Sequence, residues 1–109
     1  METNRENWRS VDGYANYEVS GHGRVRNATT ERIEKASKNS HGYHLVKLYR
    51  QDKVATLTVH RLVAQGFIEN TLNKPCVDHI DNNKSNNNVS NLRYRTHSQN
   101  GMNCSKYIS

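Results

Sequence analysis

Residues 76–104 contain the side chains whose types and spacing could do chemistry together. This stretch reads CVDHIDNNKSNNNVSNLRYRTHSQNGMNC, in which Asp78 and His79 are adjacent, Asn91 follows His79 by 12 residues and Asn100 follows it by 21. An imidazole titrates near neutral pH and can accept a proton from water. Carboxylate and amide oxygens are hard donors that suit Mg²⁺ or Mn²⁺ better than Zn²⁺. This set could therefore activate a water molecule beside a hard divalent cation.

Each of these features is weak evidence alone, because an Asp-His pair or an asparagine near a helix start is more often structural than catalytic. Taken together, with NLRYRTHSQN joining the last two positions, they resemble the active-site segment of HNH nucleases. The resemblance is to the phage and intron homing endonucleases whose last motif residue is asparagine. It implies that His79 is the general base, that Asn91 fixes its orientation, and that Asp78 and Asn100 bind one divalent metal ion, Mg²⁺ or Mn²⁺.

Two other histidines compete for roles in this site. His97 lies three residues before Asn100, and histidine is the commoner last residue of HNH motifs, but the family spacing favours Asn100 as the second ligand. His60 lies in the run VHRLVA, which is also typical of this nuclease family. Because His60 is outside the three-residue motif, we interpret it as a packed or hydrogen-bonded structural histidine.

Local patterns around the motif predict a ββα arrangement. Residues 76–80 form a predicted strand, and five asparagines between positions 82 and 88 predict a loop in which we expect them only to form turns. Residues 92–95 are the predicted return strand. The T-x-x-Q pattern that begins at Thr96 predicts a capped final helix extending to about residue 107. The resemblance implies the ββα-metal fold of HNH nucleases.

The remaining chain reads as mostly β structure. Residues 8–27 are β-prone and glycine-punctuated, with a hairpin predicted at 19–25, and resemble the short modular segment that often precedes HNH domains. Residues 28–41 are polar without a clear period, which predicts an irregular connection. Residues 42–59 contain YHLVKLYR and KVATLTV around Gln-Asp, which predicts a second hairpin. Apolar residues at helical spacing predict a short helix over residues 60–68.

A length of 109 residues fits one α+β domain with a small core. We expect residues 1–41 to form an N-terminal β-rich segment. Residues 42–109 then hold the second hairpin, the helix and the ββα-metal core. Homing endonucleases of this kind usually continue into a C-terminal DNA-reading region, and only nine residues follow Asn100 here, so site specificity stays open.

The basic composition favours a polyanionic partner. Sixteen Lys and Arg against ten Asp and Glu give a net charge of +6, and the isoelectric point is near 9.6. With the resemblance, double-stranded DNA is the expected partner. Exposed basic residues are usually solvated surface, but if the return strand is regular, two arginines lie on the same side as Asn91 and are the best candidates for phosphate contacts. The candidate DNA-binding residues are Arg24, Arg26, Arg61, Lys84, Arg93 and Arg95.

The expected function is a metal-dependent DNA endonuclease that nicks one strand per active site. The alternatives are a catalytically silent basic DNA-binding module and an RNA-binding protein, for which the few aromatic residues give no clear stacking platform. No apolar run is long enough to span a membrane and the N-terminus has no signal peptide, so an intracellular protein is expected. No obligate protein partner is evident, and the oligomeric state stays open. Cys76 and Cys104 are expected as free thiols, with a bridge between them as the alternative.

Overall fold

The computed structural model describes residues 6–96, and these begin with a three-stranded antiparallel sheet. Its strands β1 (Trp8–Val11), β2 (Tyr14–Ser20) and β3 (Val25–Asn27) lie in that order. Val19 pairs with Val25, and the turn between them contains two glycines. The hairpin predicted at residues 19–25 is confirmed.

A second antiparallel sheet contains the predicted central hairpin. Its strands are β4 (Ser37–Lys38), β5 (His44–Arg50) and β6 (Lys53–Thr58), in that order. The β5–β6 hairpin is confirmed. The prediction for residues 28–41 was wrong at one point, because two of them form β4 on the edge of β5. Their sequence has no strand period, so this pairing follows from the free edge that β5 offers.

One helix, α1 (Val59–Phe67), joins the second sheet to the C-terminal strands. It begins and ends one residue before the predicted helix. Its buried positions follow the helical period, so one side packs inward: Val59, His60, Leu62, Val63 and Ala64. Burying a Val or Leu side chain contributes about 1.5–3 kcal/mol. Because α1 contacts strands of all three sheets, it is the element on which they are assembled.

The C-terminal strands form a two-stranded antiparallel ribbon around a long loop. β7 (Cys76–His79) pairs with β8 (Leu92–Arg95), and a short 3₁₀ helix (Val89–Asn91) leads into β8. In this register Asp78 lies opposite Arg93. The two strands and the asparagine-rich loop between them are as predicted.

A single apolar core connects the N-terminal segment with the motif. Val19 and Val25 of the first sheet pack in the same cluster as Val63 of α1 and Leu92 of β8. A substitution that displaces side chains of the first sheet can therefore displace the ribbon through direct packing. No helix within residues 6–96 is long and apolar enough to cross a membrane.

Some predictions concern residues beyond position 96. The final helix, together with His97 and Asn100, lies outside the described residues. Cys76 is buried at the start of β7 and is disulfide-bonded, so the expectation of a free thiol at this position was wrong. The chain's second cysteine also lies outside the described residues.

Candidate active site

Asp78 and His79 occupy the last two positions of β7 and line the same cleft. Asp78 is half-buried beside β8, where Arg93 is its cross-strand neighbour. The imidazole of His79 is only 4% exposed and packs toward α1. Adjacent positions on one strand thus bring a carboxylate and an imidazole to one site in two different environments.

The His79 ring packs in a cluster of three rings with Tyr43 and His60. His60 lies 5.0 Å from Tyr43 with the two planes 24° apart, and the His60 and His79 centroids are 4.9 Å apart. Burial lowers the pKa of His60 to about 3, and the neighbouring charges of His79 and Arg61 act in the same direction. His60 therefore stays neutral near physiological pH and serves as a packing surface for the His79 ring. The prediction of a packed structural histidine at this position is confirmed.

Asn87 is the direct hydrogen-bond partner of the His79 ring. Its Oδ1 lies 2.8 Å from Nε2 of His79, and Asn87 is itself only 6% exposed. A carbonyl oxygen can only accept, so Nε2 carries the proton and Nδ1 of the neutral ring carries the lone pair. The expectation that every loop asparagine only forms turns was wrong at Asn87. The signal that distinguishes it is burial, which the sequence of five similar asparagines does not show.

Asn91 organises the loop and does not reach the His79 ring. Its Nδ2 donates to Oδ1 of Asp81 and to the carbonyl of Asn86, each at 2.9 Å, and its Oδ1 accepts from the Asp81 backbone N–H at 3.1 Å. Hydrogen bonds from the Asn83 backbone, Asn91 and Asn86 lower the pKa of Asp81. Any influence of Asn91 on His79 therefore passes through the loop. The resemblance to HNH nucleases implied that Asn91 orients the His79 ring.

The Asp78 carboxylate is held by two arginines of β8. Arg93 donates from Nε at 3.0 Å and from Nη2 at 2.9 Å, and Arg95 reaches the same oxygen, Oδ2, at 3.5 Å. Positions two apart on a strand share a face, which explains why both guanidinium groups meet one carboxylate. The expected alternation from Asn91 fails, because Asn91 belongs to the 3₁₀ helix and not to β8.

Lys84 is at the edge of the cleft. Its Nζ donates to the His41 carbonyl at 2.8 Å and lies 4.7 Å from the centroid of the Tyr43 ring. The cleft has a volume of about 200 Å³, large enough for a phosphate group and water. It is lined by Tyr43, Val77, Asp78, His79, Asn82 and Lys84. The structure therefore brings Lys84, the predicted DNA-binding lysine, beside the proposed base and metal ligand.

The other predicted basic residues do not line this cleft. Arg24 bonds Glu6 and Arg26 bonds Glu18, and the Arg26 guanidinium also stacks 4.1 Å from the Trp8 ring. The Arg24 contact lowers the pKa of Glu6 to about 2. Arg61 on α1 donates to a backbone carbonyl just before β7. These three arginines have partners within the protein, and their contact with DNA stays a prediction.

Comparison with known proteins agrees with this architecture. Residues 6–49 match the model of the NUMOD4 motif and residues 58–102 match that of an HNH endonuclease. The chain is 39% identical over 90 residues to DNA endonuclease I-HmuI of Bacillus phage SP01, covering 82% of this chain and 52% of that protein. It is 38% identical over 96 residues to an uncharacterised HNH endonuclease of Acanthamoeba polyphaga mimivirus, covering 88% and 29% respectively.

The structural comparison gives the same result. A solved structure that describes DNA binding and cleavage by the HNH homing endonuclease I-HmuI matches with a TM-score of 0.78 and 35% identity, over 94% of this chain and 64% of that one. The chain belongs to the HNH endonuclease family. It spans about half the length of I-HmuI and less than a third of the mimivirus protein. The family and the α+β HNH fold predicted from the sequence are confirmed.

HNH nucleases generally depend on a divalent metal, so the donor set can be tested against one. Within residues 6–96 no group of three or more His, Cys, Asp or Glu is arranged to hold a metal ion. Asp78 nevertheless fits, because both arginines contact Oδ2 and no described residue donates to Oδ1. Asp78 lines the cleft, and its Oδ1 has no hydrogen-bond donor among the described residues. Asn100, the other proposed ligand, lies outside the described residues.

Proposed function

We propose that this HNH protein hydrolyses phosphodiester bonds in double-stranded DNA with the help of one divalent metal ion, nicking one strand per active site. The observation that carries the proposal is the cleft in which a half-buried carboxylate, Asp78, lies beside a nearly buried imidazole, His79. The relative I-HmuI, which is named a DNA endonuclease, supports the substrate class.

His79 is the proposed general base. Nε2 is hydrogen-bonded to Asn87, so Nδ1 is the atom whose lone pair accepts a proton from water. Packing against the His60 and Tyr43 rings limits rotation of the His79 ring. A base held in one orientation removes the proton without first losing the entropy of a free side chain, which is how positioning contributes to rate.

Asp78 and Asn100 are the proposed metal ligands. Two protein oxygens leave several coordination positions for water and phosphate, and hard oxygen donors favour Mg²⁺ or Mn²⁺. Such an ion supplies positive charge for the transition state and for the departing 3′ oxygen. The choice between these two ions and the number of ions are part of the proposal.

Lys84, Arg93 and Arg95 are the proposed phosphate contacts nearest the cleft. Lys84 lines it, and the two arginines reach the carboxylate that lines it. A cation held by Asp78 would neutralise that carboxylate, and the two arginines would then be available to DNA phosphates. Arg24, Arg26 and Arg61 are proposed as weaker contacts, because each has a partner within the protein.

Incubation of supercoiled plasmid with the protein tests this function. With Mg²⁺ or Mn²⁺ we expect open circles before any linear product, because one ββα-metal site engages one strand. Excess chelator should abolish the reaction. Equal cleavage in the presence of chelator would contradict the metal-dependent mechanism.

A second candidate is a catalytically silent DNA-binding module. The ion pairs from Arg93 and Arg95 to Asp78 favour it, since the same contacts could simply stabilise the ribbon. This candidate predicts salt-dependent retention of DNA in a mobility-shift assay and no nicks with either metal. The plasmid experiment separates the two.

A further inference from the structure

We infer that the turn of the N-terminal hairpin, residues 21–23, positions the catalytic base of the HNH site by holding Asn87 against His79. The inference rests on the proposed function only in naming His79 as the base. It joins the N-terminal segment, matched by the NUMOD4 motif, to the chemistry of the ribbon.

The first link is direct contact between the hairpin turn and the catalytic loop. The backbone N–H of Val89 donates to the carbonyl of Gly21 at 2.8 Å. A Cβ placed on Gly21 would lie 3.3 Å from Cγ1 of Val89 and 3.9 Å from the Phe67 ring. The turn and the loop therefore touch at van der Waals distance and share a hydrogen bond, so they move together.

The closest approach is between Gly23 and Asn87. A Cβ on Gly23 would lie 2.9 Å from both Cβ and the carbonyl oxygen of Asn87, and 3.0 Å from its carbonyl carbon. Two of these atoms are backbone, which cannot rotate away. Gly23 also has φ +89°, a conformation that favours glycine. Only glycine lets the turn come this near to Asn87.

The second link runs from Asn87 to the base. Its hydrogen bond to Nε2 of His79 is 2.8 Å long and buried, and it decides which ring nitrogen carries the lone pair. A displacement of Asn87 by a few tenths of an ångström weakens that bond and leaves the orientation of the ring less fixed. Misplacement of a catalytic group by about 1 Å can reduce the rate by about 10²-fold. Gly23 and Asn87 are thus positioning residues.

Gly13 provides a matched control for the strain of replacing a glycine. It has φ +82°, close to that of Gly23, yet a Cβ there would meet only Nη1 of Arg50, at 3.6 Å. Gly13→Ala and Gly23→Ala therefore impose similar backbone strain, and only the second presses on the loop. Gly42 is less suitable, because its nearest neighbour is Lys84 at the cleft.

The experiment compares these two variants with the wild type. Single-turnover cleavage by Gly23→Ala should be slower than by Gly13→Ala by about 10-fold or more, while DNA affinity in the two stays within about twofold. The Nε2 ¹⁵N shift of His79 reports its hydrogen bond to Asn87. Measured in metal-free protein at about pH 8, it should move in Gly23→Ala toward the value of a ring without this bond and stay at the wild-type value in Gly13→Ala. Unchanged His79 shifts in Gly23→Ala, or equal effects of the two variants, would overturn the inference.

Two further changes cover the case in which Gly23→Ala does not fold. Gly21→Val, at a position without positive φ, presses on Val89 and should also move the His79 shifts. Asn87→Ala removes the hydrogen bond and should move the Nε2 shift of His79, whereas Asn87→Asp keeps an acceptor oxygen and should move it less. If Gly21→Val or Asn87→Ala leaves the His79 shifts unchanged, the hairpin turn does not position His79 through Asn87. The ¹⁵N measurement needs no cleavage, so a wild type that fails to nick DNA refutes the proposed function separately.

Discussion

The buried imidazole of His60 makes the stability of the fold depend on pH in a defined window. His60 is 1% exposed, and burial lowers its pKa from 6.5 to about 3. Between these two values the unfolded chain binds a proton that the folded chain does not. Stability must therefore fall as the pH drops below about 6.5. His79, Arg61 and Tyr43 face His60, and the first two add to the unfavourable charge.

The size of the effect follows from the same pKa values. Each pH unit within the window corresponds to about 1.4 kcal/mol, so the contribution of His60 between about pH 7 and pH 5 is a decrease of about 2 kcal/mol in the free energy of unfolding. The Glu6 carboxyl has a pKa lowered to about 2. Its stabilising contribution is therefore lost only as the pH falls from its ordinary pKa of 4.5 toward 2. The two contributions are therefore separated by pH. His60→Phe keeps a ring in the stack and removes the titrating group.

Urea unfolding followed by the fluorescence of Trp8, the only tryptophan, measures the free energy of unfolding at several pH values. The slope against pH is the quantity to compare, because His60→Phe also alters packing. We expect the slope between about pH 7 and pH 5 to be smaller in His60→Phe than in the wild type by about 1 kcal/mol per pH unit. His41→Phe, at an exposed loop position, is the control and should keep the wild-type slope. Equal slopes in wild type and His60→Phe would refute the reasoning.

Three further predictions concern the site. His79→Ala should reduce plasmid nicking by about 10²-fold or more with little change in DNA affinity, and normal nicking would assign the base to another group. Replacing Arg93 and Arg95 together by alanine should weaken DNA binding and lower the slope of log affinity against log salt by about one unit for each phosphate interaction that the substitutions remove. An unchanged slope, measured by mobility shift, would show that these arginines contact Asp78 and not DNA phosphates. Asn100→Ala should abolish metal-supported nicking while His97→Ala retains much of it, and the reverse pattern would make His97 the ligand.

The sequence was sufficient for those features that depend on local order along the chain. Strand alternation and turn residues predicted the two hairpins, and apolar spacing predicted α1 to within one residue at each end. The two strands of the ribbon followed from the strand signals on either side of the asparagine-rich loop. These features are local because backbone propensity and side-chain period act over a few residues.

Contacts between residues far apart in the sequence could not be predicted from local patterns. Arg93 and Arg95 looked like free phosphate contacts, and the register of β7 with β8 set both against Asp78. The short strand β4 has no period of its own and forms because β5 has an edge to pair with. A register is decided by packing of whole strands, which no short window of sequence contains.

Asn87 shows most clearly what the sequence determines and what the tertiary structure determines. Residue types alone established the basic character, and the resemblance of the motif to HNH nucleases implied the fold class. Five asparagines in one loop have the same turn chemistry, so nothing in the sequence distinguishes one of them from the others. Only the tertiary structure decided that Asn87 is buried against His79, because the glycine turn from the other end of the chain closes over it. That contact joins residues more than sixty positions apart, and its existence depends on the packing of the first sheet against α1 and the loop.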